Sequence, residues 1–121
     1  MSIEDLGRRA TACKHWRWMG GMAAIDRPLW RIVERAGLPP YMVNGYMEES
    51  LDGVLPDLSD PATLGCLLYL VREAWGAERA SAWWCGPLRA WAADVRIIDS
   101  GRVFHGDTEA EALVIALEAA P

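Results

Sequence analysis

Hydrophobic and polar positions along this chain switch between a helical period and a period of two, and the switches mark its elements. Near the start, Ile3, Leu6, Ala10 and Cys13 recur at helical spacing, with Ser2 placed to cap and Asp5 three positions on in a capping-box-like arrangement. This predicts a short N-terminal helix ending near Lys14. In "HWRWM" the period becomes two: Trp16 and Trp18 take one face, His15, Arg17 and Met19 the other, and Gly20 and Gly21 supply a turn. A strand, a glycine turn and a second strand from Met22 to Ile25 are expected. After Asp26, Arg27 and Pro28 interrupt, "LWRIVE" resumes the alternation as a third strand, with Trp30 and Ile32 opposite Leu29, Arg31 and Val33.

From Gly37 to Asp57 the text reads "GLPPYMVNGYMEESLDGVLPD", with three of the seven prolines and an Asn-Gly turn signal at Asn44 and Gly45. It is the most loop-like part of the chain, although "YMV" and "GYM" are compatible with a short hairpin. The strongest element follows. Asp60 is a good N-cap, Pro61 suits the first helical position and Gly76 the position past the end, which predicts a helix over Pro61–Trp75. Leu64, Leu67, Leu68, Val71 and Trp75 form its stripe, and Cys66, Tyr69 and Leu70 widen it, which marks this as the central helix.

"SAWWCG" and "LRAWAADVRII" then read as strands, "DSGR" as a tight turn into "VFH", and the last segment as a helix. Thr108 and Glu111 form its capping box and Ala110, Leu113, Val114 and Leu117 its stripe. The expected class is α+β: one antiparallel sheet of about four to six strands, two main helices at about 61–75 and 108–119 packed on it, and a short N-terminal helix. No repeat or linker divides the chain. The expectation is therefore a single domain over 1–121, comprising a helix and Trp-rich hairpin (1–36), a loop-rich insert (37–57) and a helix–strands–helix unit (58–121).

Composition narrows the class further. With 121 residues, 52% hydrophobic and 24% charged, the chain has globular composition and no disordered signature. Asp plus Glu number 17 against 12 for Lys plus Arg, a net charge of −5. That is the opposite of a phosphate-binding footprint, so direct nucleic-acid binding is not expected, whereas basic proteins are suitable partners. Cys13, Cys66 and Cys85 are odd in number, widely spaced and form no CxxC pair, which fits a reduced, cytoplasmic protein without disulfides. The opening "MSIEDLGRRA" has no apolar export core and the longest apolar run, "LGCLLYLV", is too short to span a bilayer, so no membrane association is expected.

"LPDLSDPATLGCLLYLVREAWG" and "GRVFHGDTEAEALVIALEAA" resemble segments recurring in small phage and prophage proteins, similar in layout to the phage ABA sandwich domain. "CKHWRWMGGM" resembles a tryptophan-rich opening on some of the same proteins. The resemblance implies a phage or prophage origin and a compact accessory protein. Such proteins bind host proteins, including defence effectors such as CRISPR complexes, or sequester signalling nucleotides. It carries no activity over to any residue.

Candidate chemistry is sparse. Cys13, His15, Cys66, Cys85 and His105 are potential ligands, but only Cys13 and His15 lie close in sequence, and their spacing is not a zinc pattern. A thiolate–imidazole pair would need contact and an orienting carboxylate, and nothing in the sequence brings the thiols and imidazoles together. The "HGDT" stretch at a strand-to-helix junction offers amides to an anion, yet Asp107 and Thr108 are already capping residues. No catalytic residue, metal or cofactor is assigned, and the expectation is action by binding. The aromatics are the stronger signal: seven indoles are many for a core of this size, and exposed Trp, Tyr and Met mark interface hot spots. Trp16, Arg17, Trp18, Trp30, Tyr41, Tyr46, Trp83 and Trp84 are the candidate binding residues. The first reading is a phage-type accessory protein that binds and inhibits a host protein or complex, in the manner of an anti-CRISPR. The alternatives are a sponge that stacks a signalling nucleotide on indoles, with Arg17, Arg31 or Arg89 on its phosphates, and a structural or oligomeric phage protein. A homodimer is compatible with each.

Overall fold

In a computed structural model the chain is described over residues 2–96 and 102–121. Helix α1 (Ile3–Ala12) is capped as expected: the Ser2 hydroxyl accepts from the Asp5 amide and donates to its carboxylate. Strands β1 (Arg31–Arg35), β2 (Leu38–Asn44) and β3 (Met47–Glu49) form one antiparallel sheet in that order. Helix α2 (Pro61–Trp75) has the predicted bounds, and Gly76 closes it with φ +62°. Strands β4 (Ser81–Cys85), β5 (Ala90–Asp94) and β6 (Val103–Gly106) form a second antiparallel sheet, and α3 (Glu109–Ala119) follows under a Thr108 cap. The class is α+β. Among the described residues the strands divide into two three-stranded sheets, not the one larger sheet expected.

The division follows from what each segment finds to pair with. The expected hairpin of His15–Met19 with Met22–Ile25 does not form, although Gly20 and Gly21 do turn the chain and the Met22 amide reaches back to the Met19 carbonyl at 3.2 Å. More distant partners win. Ile32 of β1 accepts from the Gly21 amide and donates to the Met22 carbonyl, both at 3.0 Å. Ala23 and Ile25 exchange bonds with Asp57 and Leu55. The stretch from Gly37 to Asp57 corrects the loop expectation, because its first half is β2 and β3. Pro39 and Pro40 sit in the middle strand without harm: β3 pairs only with Met42, Val43 and Asn44, and the β1 register slips between Val33 and Arg35. The "DSGR" turn and Ile97 lie mostly outside the described residues.

The central helix is α3, not α2. Ala110, Ala112, Leu113, Val114, Ala116 and Leu117 are all buried, and α3 packs on α1, α2 and all three strands of the second sheet. Its alanines let these neighbours close around it. The stripe of α2 is also rotated from the expected one: Thr63, Leu67, Leu70 and Val71 are buried, while Leu64, Leu68 and Trp75 are only partly so. Thr63 takes a core position because its hydroxyl is doubly satisfied, donating to the Asp60 carboxylate at 3.0 Å and accepting the Ala23 amide at 2.8 Å. The same Asp60 oxygen accepts the Thr63 amide and meets the Arg31 guanidinium at 3.2 Å, which ties β1 to the start of α2. Ile32 and Met42 from the first sheet, Ala93 and Val95 at the second, and all three helices contribute to one hydrophobic core.

Two glycines make opposite predictions. A methyl group at Gly106 would lie 2.6 Å from the Ala112 amide nitrogen and 2.9 Å from the Glu111 Cβ, so Gly106→Ala is expected to cost about 1–3 kcal/mol through overpacking. Gly65, exposed within α2, has nothing within 4 Å of such a methyl, and Gly65→Ala should stabilise by about 0.5–1 kcal/mol. Denaturant unfolding of both variants measures this, and equal effects would refute the packing assigned to Gly106. Acid titration tests the Asp60 node. Burial disfavours the charged carboxyl, but the Thr63 amide and hydroxyl and the Arg31 guanidinium outweigh it and hold its pKa below the ordinary value. That stability is present above the ordinary carboxylate range and is lost as pH falls through the depressed native value. The stability gap between the wild type and Asp60→Asn should therefore be widest near neutrality and shrink in acid.

Candidate functional site

The aromatic residues separate into those the fold uses and those it leaves out. Trp75 is structural: its indole N–H donates to the Ala116 carbonyl at 2.8 Å, and its ring packs against Phe104. Trp16 and Trp18 meet edge to face at 5.5 Å and pack partly buried against the core. The indole nitrogen of Trp16 is buried and has no hydrogen-bond partner. Arg17, on the opposite side of that segment, pairs with Glu73 of α2 and lies over the Tyr69 ring. The hydrogen bond from Arg17 holds the Glu73 carboxyl below its usual range and raises the guanidinium in turn. "WRW" thus fastens the segment to the core on one side and to α2 on the other. Trp30 is partly buried against the core with Arg27 over its ring, and Tyr41 is half-buried under the Arg35 guanidinium at 3.9 Å.

Besides the paired Arg17, three of the candidate residues, all aromatic, are exposed. Trp83 lies on the face of the second sheet away from α3, in register with Ala92 and His105. Trp84 lies on the helix side and meets Trp91 edge to face, but β4 is the sheet edge and the ring stays 51% exposed. Tyr46 is fully exposed, at 106%, in the turn between β2 and β3. The turn is made possible by Gly45 with φ +60°, which matches a glycine-first hairpin and throws the tyrosine outward. Met47 beside it is 62% exposed. An ion pair of 2.9 Å between Glu49 and Arg27 ties β3 to the loop that carries Leu29, itself 76% exposed, and Trp30. Sequence reasoning singled out Tyr46 but missed Met47 and Leu29. Their signal was present in part: Met47 closely follows the Asn44–Gly45 turn pair, and Leu29 follows Pro28 and shares its predicted face with the polar Arg31.

The polar groups are arranged for structure. Burial raises the Cys13 thiol, with Glu118 adding to it against Arg9, and the thiol donates to the Arg9 carbonyl at 3.4 Å. Burial likewise raises the Cys66 thiol. His15 Nε2 is 2.8 Å from the Pro121 carbonyl oxygen, beside a cleft of about 490 Å³ where Arg9 pairs with Glu118, while His105 is exposed on the far sheet. Cys13 and His15 line that same cleft, but each hydrogen-bonds a backbone carbonyl rather than the other. No group of three His, Cys, Asp or Glu side chains is gathered among the described residues for a metal ion. At "HGDT" the Thr108 hydroxyl takes the Glu111 amide at 3.1 Å and Gly106 abuts α3, so the helix start is occupied by its own cap. Among the described residues, no helix is long and apolar enough to cross a membrane.

No protein-family model, curated protein or solved structure matches this chain.

The two indole nitrogens give a direct comparison. Trp75→Phe removes a made hydrogen bond and leaves the Ala116 carbonyl without its indole donor, whereas Trp16→Phe removes a buried donor that had no partner. Chemical denaturation should show Trp75→Phe to be the more costly by at least about 1 kcal/mol. A larger loss at Trp16 would mean that its N–H is satisfied in solution.

Proposed function

We propose that this chain is a phage-type accessory protein that binds and inhibits a host protein, of the anti-defence kind, and that it docks through the tip of the β2–β3 hairpin. The single observation that carries the docking role is the placement of Tyr46, wholly exposed beside the exposed Met47, on a turn whose first strand, β2, is anchored to the core by Met42 and pairs there with the buried Ile32 of β1. Tyr and Met are residue types that interfaces favour, and a tyrosine, with only two side-chain torsions, loses little conformational entropy on binding. The resemblance of the two helical segments to small phage proteins supports the host-directed part of this reading. The nucleotide-sponge reading draws less support, because two of its three phosphate candidates, Arg17 and Arg31, are paired with Glu73 and Asp60, which leaves it Arg89.

The test is co-purification of the tagged full chain with a defence complex, such as a CRISPR effector, produced in the same bacterial cell. A complex that survives size-exclusion chromatography is expected. In the variant Tyr46→Ala with Met47→Ala its affinity should fall at least about thirtyfold, the loss typical of truncated anchors. The unfolding midpoint should be unchanged within error, since both side chains are exposed. Undiminished binding by the variant would refute docking through the tip. A change in tryptophan fluorescence on adding cyclic or linear nucleotides, with no protein bound, would favour the sponge instead.

A further inference from the structure

Charge is distributed unevenly in this chain. Between Arg35 and Arg72 there is no Lys, Arg or His, and five carboxylates fall there, Glu48, Glu49, Asp52, Asp57 and Asp60. The remainder of the chain carries acidic and basic residues in equal number, so the net charge of −5 resides in this one stretch, which includes the hairpin tip. Glu49 and Asp60 are offset by Arg27 and Arg31. Glu48, next to Met47, and Asp52, just past β3, are exposed.

A cleft of about 420 Å³ takes in Asp52 together with Glu4 and Asp26. The two arginines that also line it are engaged, Arg8 by Asp5 and Arg27 by Glu49. A neighbouring cleft of about 320 Å³ shares Glu4 and Asp26 and adds Asp57. Because Arg27 both lines the first cleft and holds β3, the acidic clefts lie at the base of the hairpin that carries Tyr46 and Met47.

We infer that the tip and the clefts at its base form one docking surface for a basic protein, with Tyr46 and Met47 as apolar anchors and Glu48, Asp52 and Asp26 receiving lysine or arginine side chains. This rests on the docking role proposed above for the tip and specifies the chemistry of the partner. Complementary charge accelerates encounter and selects against acidic partners, and the same field repels phosphate-bearing surfaces.

The probe is an oligoarginine peptide, with oligoglutamate as control, titrated into the isotope-labelled full chain and followed by amide chemical shifts at low salt. Saturable shifts concentrated on Tyr46–Gly53 and Asp26 are expected, with none from oligoglutamate. Reversal at Glu48→Lys with Asp52→Lys should weaken oligoarginine binding at least about tenfold. The same change of net charge at the exposed Glu78 and Asp107, made as Glu78→Lys with Asp107→Lys, should weaken it no more than about twofold. Equal weakening by the two reversals, or shifts spread over the whole surface, would overturn the inference by showing that only net charge is sensed. Repeating the host-complex co-purification separates the two readings. If Tyr46→Ala with Met47→Ala abolishes the complex and the hairpin reversal does not, the tip docks but its partner is not basic. If the complex is lost with the reversal alone, the basic partner stands and the apolar anchor falls.

Discussion

One carboxylate links the first sheet, the 22–24 segment and α2. Asp60 caps α2 by accepting the Thr63 amide, accepts the Thr63 hydroxyl with the same oxygen, and meets Arg31 of β1. Its consequence is geometric. With its proton donated to Asp60, the Thr63 hydroxyl has lone pairs free to receive the Ala23 amide, so a buried polar side chain costs nothing unsatisfied and the 22–24 segment is fastened to α2. That segment in turn bonds Ile32, and Ile32 pairs in register with Met42 of β2. The hairpin therefore projects its tip from a fixed base.

The second constraint is the burial of α3. A helix apolar on nearly every side requires neighbours on every side, and α1, α2 and the second sheet meet that demand. Alanines at 110, 112 and 116 and the bare Gly106 permit the close approach. With α3 occupying one side of β4–β6, Trp83 and His105 lie exposed on the other face, flanking the buried Ala92. The first sheet attaches separately, through the Asp60 node and the Ile32–Met42 contribution to the core. Its hairpin ends in the Gly45–Tyr46 turn, where the tyrosine is exposed.

The candidate surface was partly legible in the text of the chain. Tyr46 could be named because an Asn-Gly pair before an aromatic predicts a turn, and a turn residue is placed outside the core by chain geometry alone. Trp16 and Trp18 looked equally available, and alternation did put them on one face, but alternation does not say which face meets the core. Arg17 shows the difficulty most plainly. Its partner Glu73 is far away in sequence, so nothing local reveals that the charge is already neutralised. Met47 and Leu29 were missed because exposure of an apolar side chain contradicts the rule by which apolar positions are read.

What the sequence by itself determined is the set of elements whose causes are local. Ser2, Asp60 and Thr108 each bond an amide three residues on, Gly76 ends α2 in the left-handed region, and Gly45 turns β2 into β3; these interactions are complete within a few residues. Tertiary structure alone decided which helix is central, how the strands divide into two sheets, which side of α2 is buried and which of the tryptophans remain outside. Burial and strand pairing are settled by competition among segments remote in sequence, as when Ile32 and Asp57 displace the neighbouring strand that the glycine turn at Gly20–Gly21 was poised to supply. A residue's own neighbours carry no record of that competition.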